Sequence, residues 1–202
     1  SGGTQSMTYA QVLEALYPMA AQIGYQADKE VVVITGSCHR DHLDRFYPIL
    51  RDAILEPRLD PADFTRLRDE TVNYLASGLR ANDDEDLGKW TLQLALYEGH
   101  PYGRVDAGTV QGLKSITLED VKNHLRSRFT REAVDIGLAG GYPADLPATL
   151  MQDFGTRLPS GKAEPIALPV PRTPKGIEVV AVQKPCIATA VSAGFPTRVT
   201  RR

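Results

Sequence analysis

The chain has 202 residues, of which 42% are hydrophobic and 24% are charged, and its formal net charge is −2. These proportions allow one domain, or one domain and part of another, and they exclude wholesale disorder and collagen-like repeats. Because the charges nearly balance, the chain has no long-range attraction toward nucleic acid or anionic lipid, and we expect neither as a partner.

The sequence shows no membrane-spanning pattern. Its apolar runs, such as Val31–Ile34, fall far short of the roughly 20 apolar residues that a membrane helix needs. Residues 1–7 lack the pattern of a signal peptide, and we interpret them as a non-native lead or a disordered segment.

The first part of the chain predicts helix, strand and helix in turn. Apolar residues spaced by three and four predict a helix over Tyr9–Ile23, ended by Gly24. The β-branched run Val31–Thr35 predicts a strand covered on both faces. Ser37 is placed to cap the next helix, which should end before Pro57.

Helix starts are well marked in the middle of the chain. Asp60 followed by Pro61, the acidic residues 83–86, and Thr117 with an acid three residues later are all typical of helix N-termini. Further helices are therefore predicted over Pro61–Leu79, residues 83–97, Val121–Phe129 and Ala144–Phe154, and strands over Ala133–Leu138, Ile177–Val182 and Ile187–Val191.

The histidines, at positions 39, 42, 100 and 124, match neither His-Glu-x-x-His nor the inverted His-x-x-Glu-His motif of zinc peptidases. His39 and His42, with Asp41 and Asp44 nearby, could chelate a divalent ion if another ligand joined them. We favour the simpler interpretation of two polar residues on the first turn of a helix.

Other candidate sites have ordinary structural interpretations. Ser37-Cys38-His39 lacks an oriented base, so Cys38 is expected to be a small buried apolar group. Gly140-Gly141 is read as a turn and not as a dinucleotide fingerprint. Acidic residues 83–86 are read as a solvated helix start, and His100 with Tyr102 as a structured turn. Cys186 is too distant in sequence from Cys38 to suggest a zinc knuckle or a disulfide scaffold.

Several segments, taken in order, resemble a known family. They are Leu55-Glu56-Pro57-Arg58-Leu59, Phe64 leading into Arg66-Leu67-Arg68-Asp69, Tyr97-Glu98-Gly99-His100-Pro101-Tyr102-Gly103, and Leu113 to Val121. This series, from about residue 8 to residue 159, resembles the pitrilysin or insulinase (M16) family of zinc peptidases, which includes the mitochondrial processing peptidases.

The resemblance implies an α+β fold with helices packed on one side of a mainly antiparallel sheet. Residues 8–159 would form an M16-like domain that is incomplete at its N-terminus. Residues 160–176, rich in proline, are predicted to be a linker. Residues 177–202 would be strands that complete this unit or start the next. Family domains usually occur in homologous pairs that enclose a chamber.

Active members of the family bind zinc through His-x-x-Glu-His and a glutamate on a later helix. The resemblance places the histidine motif before Thr8, where the sequence has only a short polar lead. It places the later glutamate at Tyr74, or at Leu75 if the register slips by one, and a second acid at Leu67 or Arg68. None of these residues is a carboxylate.

Glu70 is the nearest carboxylate one turn before Tyr74. One helical turn displaces it by about 5.4 Å, which is too far for a zinc bond of about 2 Å. We therefore predict no catalytic, cofactor-binding or metal-binding residue in this chain.

The first hypothesis is a catalytically inactive domain that pairs with an active homologous M16 domain or subunit and helps enclose a peptide substrate. A second is a fragment of an active zinc metalloendopeptidase whose His-x-x-Glu-His motif lies outside this chain. A third is a structural subunit like the family's core subunits in respiratory complexes. Homo-oligomerisation, peptide specificity and cellular compartment are left open.

Overall fold

The computed structural model describes residues 3–162, 168–187 and 189–197. The chain divides into two compact units, which are treated separately below. The first unit comprises Ser1–Ala27, Val31–Thr65 and Ile116–Pro165, and the second comprises Asp28–Glu30, Arg66–Ser115 and Ile166–Arg202. The boundary between Thr65 and Arg66 falls within a helix.

In the first unit, α1 (Tyr9–Leu16) begins with a capping box formed by Thr8 and Gln11. The predicted helix to Ile23 is too long. A 3₁₀ turn with Pro18 follows α1, and Ala20 then adopts a left-handed φ of 46° that reverses the chain. Proline cannot donate the backbone hydrogen bond that continues an α-helix, so the chain leaves the helix here.

Two antiparallel strands follow α1. β1 (Gln22–Ala27) pairs with β2 (Val32–Ser37) in a register that runs from Gln22 opposite Ser37 to Ala27 opposite Val32. The strand predicted over Val31–Thr35 therefore forms, but its predicted cover on both faces is wrong, since Val32 and Val33 are about half exposed. The β-branched run reflects strand propensity and not burial.

Ser37 is the last residue of β2. The prediction that it caps the next helix is therefore wrong. The side chain of His39 takes that role for a 3₁₀ turn over Arg40–His42, and α2 (Leu43–Leu55) follows. α2 ends before Pro57, as the sequence predicts. α2 packs directly on β2. Gly36 of β2 lies so close to this helix that an added Cβ would overlap the side chains of Phe46 and Leu50.

Two hydrophobic clusters form the core of the first unit. The first contains Val12, Leu16, Met19, Ala21 and Phe46. The second contains Leu150, Phe154 and Leu158, with Tyr47, Ile54 and Leu55 packed against them. α7 (Leu118–Arg128) starts with the predicted capping box of Thr117 and Asp120, and α8 (Leu146–Arg157) supplies most of the second cluster.

The strand predicted over Ala133–Leu138 does not form between described residues. A 3₁₀ turn covers Arg131–Ala133, and residues 134–139 belong to neither a helix nor a strand. Ile136 and Leu138 remain 42% and 38% exposed. Alternation of apolar residues gives a strand only where a neighbouring backbone supplies hydrogen bonds.

The second unit is built from short helices. α3 (Pro61–Asn73) enters this unit at Arg66 and begins, in residues assigned to the first unit, at Asp60. The Asp60 carboxylate accepts hydrogen bonds from the backbone N–H groups of Ala62 and Asp63, as predicted. The elements that follow α3 are, in chain order, a π-helical turn over Tyr74–Gly78, α4 (Leu79–Asn82), α5 (Asp84–Leu96), a 3₁₀ turn over Pro101–Gly103 and α6 (Val110–Ser115). The sequence did not predict α6.

Residues 168–187 and 189–197, called the tail from here on, carry no helix and no paired strand. The strand predicted over Ile177–Val182 therefore does not form. Residue 188, within the strand predicted over Ile187–Val191, lies outside the described residues, and the rest of that segment is unpaired. The α+β class is confirmed by the helices and the antiparallel pair. None of the described helices is long and apolar enough to cross a membrane.

Candidate functional site

The helix that carries the expected zinc-binding position changes pitch there. α3 gives way at Tyr74 to one turn of π-helix that ends at Gly78. The hydroxyl of Tyr74 donates a hydrogen bond to the Asp83 carboxylate at 3.1 Å, and its ring packs edge-to-face on Trp90 with centroids 6.2 Å apart. Tyr74 is thus held by structural contacts within the second unit.

The residues present at this position do not fit a zinc ion. Desolvation, together with the hydrogen bond to the negatively charged Asp83, raises the pKa of Tyr74. The side chain is therefore a neutral phenol at physiological pH, whereas zinc prefers thiolate, imidazole or carboxylate ligands. Leu75 has no donor atom.

Glu70 is engaged elsewhere. Its two carboxylate oxygens accept hydrogen bonds from the Arg66 guanidinium at 3.1 and 3.3 Å, an i,i+4 pair on the surface of α3. Its side chain is 60% exposed. Among the described residues, no group of three His, Cys, Asp or Glu side chains is arranged to hold a metal ion.

The pair His39 and His42 is also explained by local structure. Their rings lie 6.2 Å apart in an edge arrangement, and Nδ1 of His39 accepts a hydrogen bond from the Asp41 N–H at 3.3 Å. The neighbouring Cys38 packs against the first core cluster, and its burial raises the pKa of the thiol. A thiol held protonated is a poor nucleophile, which agrees with an apolar packing role.

His100 is buried, and both of its ring nitrogens are used. Nδ1 accepts a hydrogen bond from the Tyr102 N–H at 3.0 Å, and Nε2 lies 2.9 Å from the carbonyl oxygen of Pro169. A carbonyl only accepts, so Nε2 carries the proton and the imidazole is held in one neutral tautomer. The structured turn inferred from the sequence is thus joined to the tail.

The acidic residues at the start of α5 serve the helix and its surroundings. Asp83 accepts the backbone N–H of Asp86 at 3.0 Å and caps the helix, and Glu85 pairs with Lys89 one turn further on. Asp84 forms an ion pair with Lys184 of the tail. The interpretation of this cluster as a helix start agrees with these contacts.

A groove in the second unit was missed by the sequence reasoning. It has a volume of about 810 Å³ and lies between one face of α5 and tail residues 172–195. Lys184, with only 8% of its side chain exposed, binds Asp84 and the carbonyl of Arg80 at one end. The sequence feature that could have indicated this groove is the β-branched composition of the tail, which we interpreted only as a prediction of strands.

Comparison with known proteins identifies sequence relatives. The chain is 30% identical over 161 residues to an uncharacterised zinc protease of Mycobacterium tuberculosis, covering 79% of this chain and 30% of the relative. A zinc protease of Mycobacterium leprae is 26% identical, with 79% of this chain and 36% of the relative covered. The β subunit of the mitochondrial processing peptidase of Neurospora crassa is 22% identical, with 78% and 33% covered.

A solved structure shares the fold. It is the peptidase M16 inactive domain from Pseudomonas fluorescens, which superposes with a TM-score of 0.73 at 19% identity and covers 86% of this chain and 42% of the other. No family model matches the sequence. The chain spans about a third of the length of the curated relatives it matches.

These similarities confirm the resemblance predicted from the ordered sequence segments. The named relatives and the shared fold support assignment of this chain to the pitrilysin/insulinase (M16) peptidase family. Among its relatives are proteins named as zinc proteases and as processing-peptidase β subunits.

Proposed function

We propose that this chain is a catalytically inactive zinc-peptidase-like domain that pairs with an active homologous domain or subunit and helps enclose a peptide substrate. The observation that carries the proposal is that neither Tyr74 nor Leu75, where the family resemblance places the zinc-binding glutamate, is a carboxylate. Tyr74 is a neutral phenol bound to Asp83, and Glu70 is bound to Arg66. Such a domain contributes by positioning the peptide and not by breaking its bonds.

The name of the structural neighbour, an inactive M16 domain, supports this proposal. A second candidate is that the chain is a fragment of an active zinc metalloendopeptidase whose His-x-x-Glu-His motif lies outside it. Relatives named as zinc proteases, of which the chain covers only 30–36%, favour this alternative.

Metal analysis of the whole natural polypeptide distinguishes the two. We expect Glu70→Gln to leave the zinc content and any peptidase activity unchanged, because the carboxylate is paired with Arg66 on the surface. Glu85→Gln is the matched control, since it removes another exposed i,i+4 ion pair, with Lys89. A loss of zinc in Glu70→Gln but not in Glu85→Gln would establish Glu70 as a ligand and refute the proposal.

The binding part of the proposal is tested separately. The purified chain, mixed with a fluorescent peptide library and zinc, should bind peptides without cleaving them. Co-purification from the natural source should recover a homologous M16 domain or subunit. Recovery of large membrane complexes without an M16 peptidase would favour the structural, core-type role instead.

A further inference from the structure

We infer that His100 is a pH-sensitive latch, which holds the start of the tail (residues 168–172) while its imidazole is neutral and releases it when the imidazole is protonated. Both parts of the latch belong to the second unit. The inference depends neither on zinc ligands nor on a partner domain, so it can fail or succeed independently of the proposed function.

The latch joins two segments that lie 69 positions apart in the chain. His100, only 8% exposed, precedes the 3₁₀ turn over Pro101–Gly103 and caps it by accepting the Tyr102 N–H at Nδ1. Its Nε2 lies 2.9 Å from the carbonyl oxygen of Pro169, to which it donates. One nitrogen must therefore be bare and the other protonated, and only the neutral imidazole meets both requirements.

Protonation is incompatible with this arrangement. An imidazolium carries a hydrogen on each nitrogen, so its Nδ1–H would face the N–H of Tyr102, with the two nitrogens 3.0 Å apart and both acting as donors. Among the described residues, no carboxylate forms a hydrogen bond with either ring nitrogen of His100. A buried charge without a counter-charge is costly. The closed latch therefore accepts only the neutral ring.

The backbone of the turn is fixed, so the ring is the part that moves. Gln93 of α5 donates a hydrogen bond to the Tyr102 carbonyl at 2.6 Å, and the Gly103 N–H donates to the His100 carbonyl at 2.9 Å. The Tyr102 hydroxyl also donates to the Glu30 carboxylate. Because the Tyr102 amide cannot retreat from a second donor, the charged ring must leave its place. The bond to Pro169 is lost with it.

The other titratable groups around the latch do not replace His100 as its switch. The phenol rings of Tyr97 and Tyr102 pack against the imidazole, with centroids 5.5 and 4.9 Å away. The charged residues of the surrounding segments are Glu30, bound to Tyr102; Lys29, paired with Asp106; Arg172, paired with Glu178; and Glu98, whose charge acts on Arg172. Histidine is the side chain that ordinarily changes charge between about pH 5 and 8.

Nitrogen-15 NMR of the whole chain at pH 7.5 and pH 5.0 tests the inference. At pH 7.5 the ring nitrogens of His100 should show the neutral Nε2–H tautomer, and the backbone amides of Val170 and Arg172 should have order parameters near 0.85, as in rigid backbone. At pH 5.0 the ring should be protonated and these order parameters should fall below about 0.6. Circular dichroism should show that the helices are retained at both pH values.

Two variants at this position separate the latch from a general effect of acid. His100→Gln replaces the ring by an amide that does not titrate in this range, so the order parameters should be the same at both pH values. His100→Phe removes both hydrogen bonds and should leave residues 168–172 mobile at both. His124→Gln, at an exposed histidine of α7, is the matched control and should retain the wild-type pH dependence.

Wild-type order parameters that do not differ between the two pH values would overturn the inference. A release at pH 5.0 that persists in His100→Gln would also overturn it, because another group would then be the switch. Loss of the pH dependence in His124→Gln would reassign the effect to α7.

Discussion

The hydroxyl of Tyr47 on α2 donates a hydrogen bond of 2.6 Å to the carboxylate of Asp153 on α8. This bond lies beside the second core cluster, where Tyr47 packs against Leu150, Phe154 and Leu158. Arg51 approaches the same carboxylate at 3.7 Å. The contact thus joins two helices that are about a hundred residues apart in the chain.

Removing this hydroxyl should destabilise the first unit. Tyr47→Phe keeps the ring but leaves the partly buried Asp153 without its donor, and a hydrogen bond to a charged group contributes about 1.5–3 kcal/mol. Urea denaturation should show this decrease in the free energy of unfolding. Tyr25→Phe, at a tyrosine that is 79% exposed, should change it little. Equal effects of the two variants would contradict the assigned role of the bond.

The stability of the first unit should depend on Glu132 at acidic pH. Hydrogen bonds from the Gly161 N–H and the Ser160 hydroxyl lower the pKa of Glu132 from 4.5 to about 2. A lowered folded-state pKa gives stability that is present above pH 4.5 and is lost as the pH falls toward 2.

Glu132→Gln tests this pH dependence, because it removes the titrating carboxylate and should reduce the difference in stability between pH 5 and pH 2. The control Glu14→Gln changes an exposed carboxylate on α1 and should retain the wild-type profile. Thermal melts across this range provide the measurement. An unchanged profile in Glu132→Gln would show that other groups account for the acid sensitivity.

His100 should stabilise the second unit through both ring nitrogens. His100→Phe preserves a ring of similar shape but leaves the Tyr102 N–H and the Pro169 carbonyl without their partner. An unsatisfied buried polar group costs about 1–3 kcal/mol, so the free energy of unfolding should fall by about this amount. Denaturant unfolding measures it. The exposed His124 on α7 supplies the control His124→Phe, for which little change is expected.

Lys184 should hold the tail against α4 and α5 within the second unit. Lys184→Met removes the ion pair with Asp84 and the hydrogen bond to the Arg80 carbonyl while keeping an unbranched apolar stem. The tail should then be cleaved faster in limited proteolysis. Lys175→Met, at an exposed position of the same tail, should leave the cleavage rate near wild type. Equal rates for Lys184→Met and wild type would show that other contacts fix the tail.

Helix starts were the part of the fold that the sequence predicted best. Asp60, Asp83 and Thr117 each accept a backbone N–H from a residue two or three positions ahead, so the whole interaction lies within a few residues and can be read locally. The family resemblance was likewise predictable, because it rests on ordered local segments.

Strands and the groove were harder to predict. Val134–Leu138 alternates correctly, but a strand also needs a partner backbone, and the sequence of one segment does not say whether that partner is present. The groove depends on contacts such as Lys184 with Asp84, which are separated by a hundred residues. The absence of metal ligands in the chain stays a prediction that the Glu70 experiment tests.

α2 supplies residues to both hydrophobic clusters of the first unit, with Phe46 in one and the adjacent Tyr47 in the other. Neighbouring residues on one helix cannot lose their packing independently, so loosening either cluster disturbs the other. The first unit should therefore melt in a single cooperative transition, with no partly folded species that retains only one of its two cores.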